Sequence, residues 1–562
     1  MISAHKDYFF LRYVTSHRRR GFPLTGVGVF LQRESIGSTA TVLPYAKTND
    51  RSRTVSGQRR PWTFDLVRRL GDIVSLDVRS LALLRVSLGL LILVDLSLRV
   101  PDLRAHYTDF GVLPRDVAIS RFVNEWCLSI NFISGTLLAQ GVLLGLAAIC
   151  GFALLIGYWT TLATLLSWLF LISLHSRNPM IVDSGDILLH LLIFWSLFLP
   201  LGASYSLDNI LKPGVLRPAR VVSMGSAALI LQICFVYWFT AVLKTDQSWH
   251  REGSAVYYAL SLDSFATRIG LWLRQFPSVT TALTFSTLTL EAFGPYLLFT
   301  PVANGPIRCL TIVLFLGLHA GIGLCLDLGI FPFIMLTTWL CLLPSWFWEK
   351  SSIPQDFSPD QKKRMRKWLR RWFGLRPQIR WIGEESPPRW RTVLSTMFCA
   401  ACLIYVFLWN LRTTDFDKYS HYLPPDYNWI GYVIRIDQMW NMFAPKPLLD
   451  DGWYVIPARL KNGKEIDLMS GQSPVQWEKP SLVAPLYRNQ RWRKYLLNLW
   501  ERENSGHRLY FGRYLCRNWN ASHKGDETLQ TFGIYFMKET TLPNGKVAPI
   551  EKVILWNHSC FG

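Results

Sequence analysis

Between residues 81 and 410 the chain is dominated by long continuous apolar runs rather than by strict alternation. A helix needs about 20 mostly apolar residues to cross the hydrocarbon core of a bilayer. Windows near 81–100, 135–157, 160–175, 187–203, 223–243, 281–301, 307–327, 329–345 and 392–410 meet or approach that length. The clearest, GTLLAQGVLLGLAAICGFALLIG at 135–157, holds no charged residue. The window 160–175 is short, and 329–345 contains Pro332. Membrane barrels require alternating strands, which these runs are not. So many windows within one stretch also exceed what a soluble helical core needs. The pattern predicts an all-α multi-span transmembrane bundle of about 8–9 helices.

From residue 411 the pattern changes to short strands and loops. WYVIPARLKNGKEIDLM at 453–469 reads as a hairpin turning at Asn462-Gly463, and 532–547 offers another strand ending near Asn544-Gly545. RNQRWRKYLLNLWERE at 488–503 reads as a helix between them. These elements predict a small α+β extramembrane C-terminal domain on the outer mouth of the bundle. The expected divisions are a basic, disordered extension at 1–74 and the bundle at 75–345. A basic loop at 346–391, a last transmembrane helix at 392–410 and the outer domain at 411–562 follow. No secretory pattern precedes the first window, so that window is expected to act as a signal anchor.

Charge sharpens the topology. The 562 residues carry 60 Lys+Arg against 39 Asp+Glu, a formal net charge of +21. Such an excess raises nucleic acid as a partner, but its location argues otherwise. Residues 1–79 hold 14 Lys/Arg and 6 Asp/Glu, and residues 346–391 hold 12 and 5. The loop 204–222 adds Lys212, Arg217 and Arg220 against Asp208. With nine spans all three segments fall on one face, which the positive-inside rule assigns to the cytoplasm. The N-terminus is then cytoplasmic, and the C-terminal domain lies on the outer face of a cell or inner membrane. In KKRMRKWLRRWF at 362–373, basic residues interleave with Met365, Trp368, Leu369, Trp372 and Phe373 at helical spacing. That stripe predicts a helix lying on anionic lipid rather than on nucleic acid.

The chemistry-bearing residues inside the windows are few. Ionisable side chains at membrane depth are costly and turn toward partners or wet cavities. Arg85, Asp95 and Arg99 fall in the first window, with Asp95 and Arg99 spaced for an i,i+4 pair. His190, Glu291, His319 and Asp327 lie in later windows, and Lys244 closes the fifth. Arg85, Asp95 and Arg99 suit helix bridging as well as a site. Lys244, Glu291 and His319 are expected to share a polar cavity. No HExxH, paired CxxC, GxSxG or Walker pattern is present, so no metal site is expected. Ten cysteines are too sparse for a disulfide scaffold. Cys399 and Cys402 read as buried apolar residues, while Cys127, Cys516 and Cys560 on the outer side allow one disulfide of open pairing. Asn520-Ala521-Ser522 and Asn557-His558-Ser559 fit the glycosylation pattern.

Several ordered segments resemble one family. LRVSLGLLILVDLSLRVPDLRAHYTDFGVLPRD at 84–116 resembles the start of the HTTM, or vitamin K-dependent γ-carboxylase-like, membrane domain. Similar likenesses follow in HSRNPMIVDSGDILLHLLIFWSLFLPLG at 175–202, YWFTAVLKTDQSWHREGSAVYYAL at 237–260 and LHAGIGLCLDLGIFPFIML at 318–336. WNMFAPKPLLDDGWYVIPARLKNGKEIDL at 440–468 resembles the outer segment after them, so the likeness covers about residues 75–520.

The resemblance implies a helical bundle with a β-containing outer domain. In the carboxylases a lysine at the membrane mouth deprotonates reduced vitamin K, and oxygen then makes the base that removes a glutamate γ-proton. Lys244 is the matching position, with His319 assisting. Asn178, Asp186, Trp249, Glu291 and Arg85 are the expected cavity or substrate-binding residues. Two departures weigh against glutamate carboxylation. Lys244-Thr245 replaces the paired lysines, and Asn178-Pro179-Met180 replaces Asn-Asn-His. The expected function is an integral membrane protein with a polar intramembrane cavity. It binds reduced vitamin K, another quinone or a lipid-like ligand and modifies an exported peptide. The alternatives are a non-enzymatic maturation factor for a secreted partner and a transporter. The expected partners are the lipid bilayer and a secreted peptide or protein, and not nucleic acid.

Overall fold

In the computed structural model, which describes residues 71–212, 218–374, 388–543 and 546–561, each apolar window becomes a helix. These are α1 (Val78–Arg99), α2 (Leu137–Ile156), α3 (Thr160–Arg177), α4 (Ser184–Ser196), α5 (Met224–Leu243), α6 (Pro277–Phe293), α7 (Asn304–Cys325), α8 (Phe331–Leu340) and, after the basic helix α9 (Pro359–Phe373), α10 (Arg389–Thr414). Among the described residues, only α1 (continued to Tyr107), α2, α5, α7 and α10 are long and apolar enough to cross a membrane by themselves. Nine crossings therefore do not follow from helix length. α4 holds 13 residues and α8 holds 10. Pro332 does not interrupt α8, because it sits in the first turn, where a missing N–H costs nothing. The expected extension at 1–74 lies outside the described residues up to position 70, as do 375–387 and the Asn544-Gly545 turn.

The local chemistry explains the helix ends. The Asp77 carboxylate caps α1 by accepting from the Arg79 amide at 2.9 Å. Thr136 caps α2, and Gly157, at φ 71°, closes it in the left-handed conformation. Glycine also sets the α1–α2 crossing. A Cβ at Gly89 would lie 2.6 Å from the backbone of Leu155, and one at Gly151 would lie 2.8 Å from the Ile92 side chain. Without a hydrophobic drive between helices in lipid, such small residues let backbones approach and gain dispersion contact.

The two ends of the bundle differ. At one end Leu76–Asp77 pairs antiparallel with Arg220–Val221, and the Trp348 indole donates to Ser80 Oγ at 2.7 Å. Helix α9 packs at that end on the short helix Leu207–Leu211. At the other end stands the C-terminal domain. Its strands are β1 (Asp450–Val455), β2 (Pro457–Leu460), β3 (Glu465–Asp467), β4 (Leu529–Thr540) and β5 (Glu551–Ser559), all antiparallel. The long β4 pairs β5 along one edge and β1 then β2 along the other, while β3 pairs β2. The expected hairpin is therefore β2–β3, with Gly463 at φ 83° in its turn. Its first strand is shorter than expected, because the chain breaks at Ile456 and hands β1 to a different stretch of β4.

Helices α11 (Gln490–Trp500) and α12 (Arg508–Ser522) cover this sheet. The Tyr454 hydroxyl donates to the Leu496 carbonyl at 2.7 Å, and Trp500 packs on Phe536 with centroids 4.4 Å apart. Cys516 and Cys560 form a disulfide that ties α12 to the end of β5, leaving Cys127 free. Cys399 and Cys402 are buried in α10.

Candidate functional site

Lys244 caps the C-terminus of α5, its amide donating to the Ala241 carbonyl at 3.2 Å. The chain then turns, and Asp246 caps the short helix Gln247–His250 by accepting from the Ser248 amide at 2.9 Å. Burial raises the Asp246 carboxyl, but the Ser248 bonds and Lys446 outweigh it and leave the group below its ordinary value. This turn brings the Trp249 ring over Lys244, 4.3 Å from Nζ to centroid. The Trp249 indole donates to the Phe443 carbonyl at 3.0 Å, and His250 Nε2 contacts the Lys244 carbonyl at 2.6 Å. From α6, Glu291 forms a direct ion pair with Lys244 Nζ. Both partners are buried, at 2% and 8% relative exposure. The ammonium and the carboxylate are thus held in direct contact under an aromatic cover.

His319 does not join that pair. Its Nε2 meets the Tyr237 hydroxyl at 2.7 Å, and that hydroxyl accepts from the Trp339 indole at 2.5 Å. Trp339 stacks on Phe315 at 3.9 Å. The shared cavity expected for Lys244, Glu291 and His319 thus resolves into two neighbouring clusters on one helix. Tyr237 precedes Lys244 by seven residues, about two helical turns, so both lie on one face of α5. That spacing was the available signal for Tyr237. Nothing in sequence spacing pointed to Phe443.

Asp186 belongs to a third cluster at the junction with the C-terminal domain. Arg99 donates to Asp95 at 2.8 Å and to Asp186 at 2.7 Å, so the expected Asp95–Arg99 pair is present. Arg491, projecting from α11, meets Asp95 at 2.7 Å and spans both oxygens of Asp186. His175 Nε2 lies 3.4 Å from Asp186. Asp95, His175 and Asp186 together have the donor set of a cation site. Both carboxylates are already engaged by guanidiniums, which makes the group an ion-pair network.

Asn178 and Arg85 stand apart from Lys244. Asn178 caps the turn Pro179–Ile181 and donates to the His106 carbonyl at 3.1 Å. Arg85 ties α1 to the 201–205 loop through the Tyr205 carbonyl at 2.7 Å. A pocket of about 200 Å³ near that loop is lined by residues that include Thr160, Ser196, Asp208 and Lys212, and not by Lys244.

Residues 74–346, which contain all these positions except Phe443, Lys446 and Arg491, match the family model described as the HTTM domain. This part of the chain is an HTTM domain. No curated protein and no solved structure matches the chain. With its apolar helices, the HTTM domain makes this a membrane protein. The Phe443 carbonyl that holds the Trp249 indole over Lys244, and the Arg491 guanidinium on Asp186, come from outside the HTTM domain, after residue 346.

Proposed function

We propose that the protein crosses the bilayer nine times and uses the Lys244–Glu291 pair to bind a quinone or another hydroxyl-bearing, lipid-like molecule while an exported peptide is modified. The basic segments 1–79, 204–222 and 346–391 face the cytoplasm in this reading, and residues from 411 face outward. The disulfide between Cys516 and Cys560 supports the outward side, since such bonds persist in oxidising compartments.

The observation that carries the reading is the buried Lys244–Glu291 pair beneath Trp249. In place of a hydroxylated ligand's water, the pair offers one donor and one acceptor held by two helices. Glutamate carboxylation is not part of the proposal. Thr245 stands where the carboxylases carry their second lysine, and Asn178-Pro179-Met180 where they carry Asn-Asn-His.

The test is mass spectrometry of lipids retained by the full chain extracted into nanodiscs. Wild type should retain a quinone or related lipid, and Lys244→Ala should retain at least about tenfold less, as loss of a charge-assisted hydrogen bond requires. Retention of no such molecule, with Lys244→Ala unaltered in every phenotype, would overturn the ligand reading. It would leave the second one, a maturation factor for a secreted partner. The ion pairs by which Arg491 ties the C-terminal domain to Asp95 and Asp186 favour that reading, because they fasten to the bundle a domain that a secreted partner could dock on.

A further inference from the structure

Helix α9 is the element that neither the Lys244 centre nor the bundle's own packing uses up. Ser358 and Gln361 form a capping box at its start, and Gly374, at φ 64°, ends it. Leu369 is buried against Ile210 and Leu211, with Met365 beside it. Arg366 donates to the Ile210 carbonyl at 3.2 Å, and Lys362 holds Asp356, which Asn209 also contacts. The helix is therefore fastened along one line of residues: Lys362, Met365, Arg366 and Leu369.

At about 100° per residue the remaining positions sort into two arcs. Trp368 and Trp372 flank the fastened line on one side, with Phe373 at the helix end. All three are exposed, at 53%, 67% and 63%. Lys363, Arg364, Lys367, Arg370 and Arg371 occupy the opposite arc and are exposed. Two exposed indoles one turn apart are costly in water. Beside a cationic arc they match the bilayer interface, where indoles sit at headgroup depth and cations meet lipid phosphates. Arg220 and Lys212 lie at the same end of the bundle.

We infer that α9 is a docked foot that binds the anionic phospholipid headgroups of the leaflet next to it. The bundle holds its inner line, the indoles enter the interface and the cationic arc meets phosphate. The commitment to lipid over an acidic protein rests on the aromatic flank, which a purely electrostatic protein contact does not need. The inference requires only that the bundle spans a bilayer, and it is independent of any ligand at Lys244.

The experiment uses the full chain in nanodiscs of phosphatidylcholine, with or without about one third phosphatidylglycerol, and reads hydrogen exchange over 359–373. Exchange should slow about tenfold in the anionic discs, and about 0.5 M salt should remove most of the difference. Replacing Lys363, Arg364, Lys367, Arg370 and Arg371 together by Gln should abolish the dependence on phosphatidylglycerol. Exchange in α5 should stay unchanged, which shows that the bundle is intact. Trp368→Ser with Trp372→Ser should speed exchange in both disc types. Equal exchange of wild type in the two disc types would overturn the inference. So would protection that appears only when a soluble acidic polypeptide is added.

Discussion

Removing Arg491 tests how the C-terminal domain is held. Its guanidinium enters the end of the bundle, meets Asp95 at 2.7 Å, spans both Asp186 oxygens and donates to the Ile181 carbonyl at 3.0 Å. Asp95 and Asp186 are fully buried, and Arg99 is the other guanidinium that serves them. Arg491→Met keeps most of the volume and leaves two carboxylates with one cation. Breaking one side of a buried pair in this way costs about 3–5 kcal/mol, most of it the uncompensated charge. The assay is denaturant unfolding of detergent-solubilised protein, combined with proteolysis that follows release of the C-terminal domain. Arg491→Met should destabilise by that amount and speed cleavage near residues 489–508. Asp186→Asn added to it should recover about 1–3 kcal/mol, because it removes the orphaned charge and the two sites are coupled. A loss under about 1 kcal/mol, or strict additivity in the double variant, would refute the view that this network bears the junction.

Other consequences are equally specific. Asp451, buried in β1, accepts from the Ser264 amide at 3.0 Å, and burial raises its carboxyl to about 6 against that bond. The folded protein then holds this proton more tightly than the unfolded chain, so the group costs stability as pH rises through 4 to 6. Asp451→Asn should stabilise by up to about 3 kcal/mol at pH 8 and by little at pH 4, read from unfolding at both pH values. Cys560→Ser opens a loop of sequence separation 44 and should cost about 2–4 kcal/mol, with non-reducing peptide mapping of wild type showing the Cys516–Cys560 bond. Gly89→Leu forces α1 off the Leu155 backbone and should cost about 1–3 kcal/mol, measured by thermal unfolding in detergent.

What could be read from residue order follows from how local each signal is. Continuous apolar runs located every bundle helix, because membrane burial demands them residue by residue. The i,i+4 spacing of Asp95 and Arg99 anticipated their pair, and the stripe at 362–373 anticipated an amphipathic helix. Helix α12 and strand β5 carried weaker local signals. β5 stands at a sheet edge with mixed exposure, so its alternation is poor.

The sequence by itself determined that this is a membrane protein with an HTTM domain, and where its apolar helices lie. Beyond the Asp95–Arg99 pair, tertiary structure decided which polar side chains bond to one another. Lys244 finds Glu291 across 47 positions, Asp186 finds Arg491 across 305, and His319 finds Tyr237 instead of Lys244. The physical reason is that lipid rewards apolar surface wherever it occurs. A buried charge, by contrast, is satisfied only by the one partner that packing brings within hydrogen-bond reach.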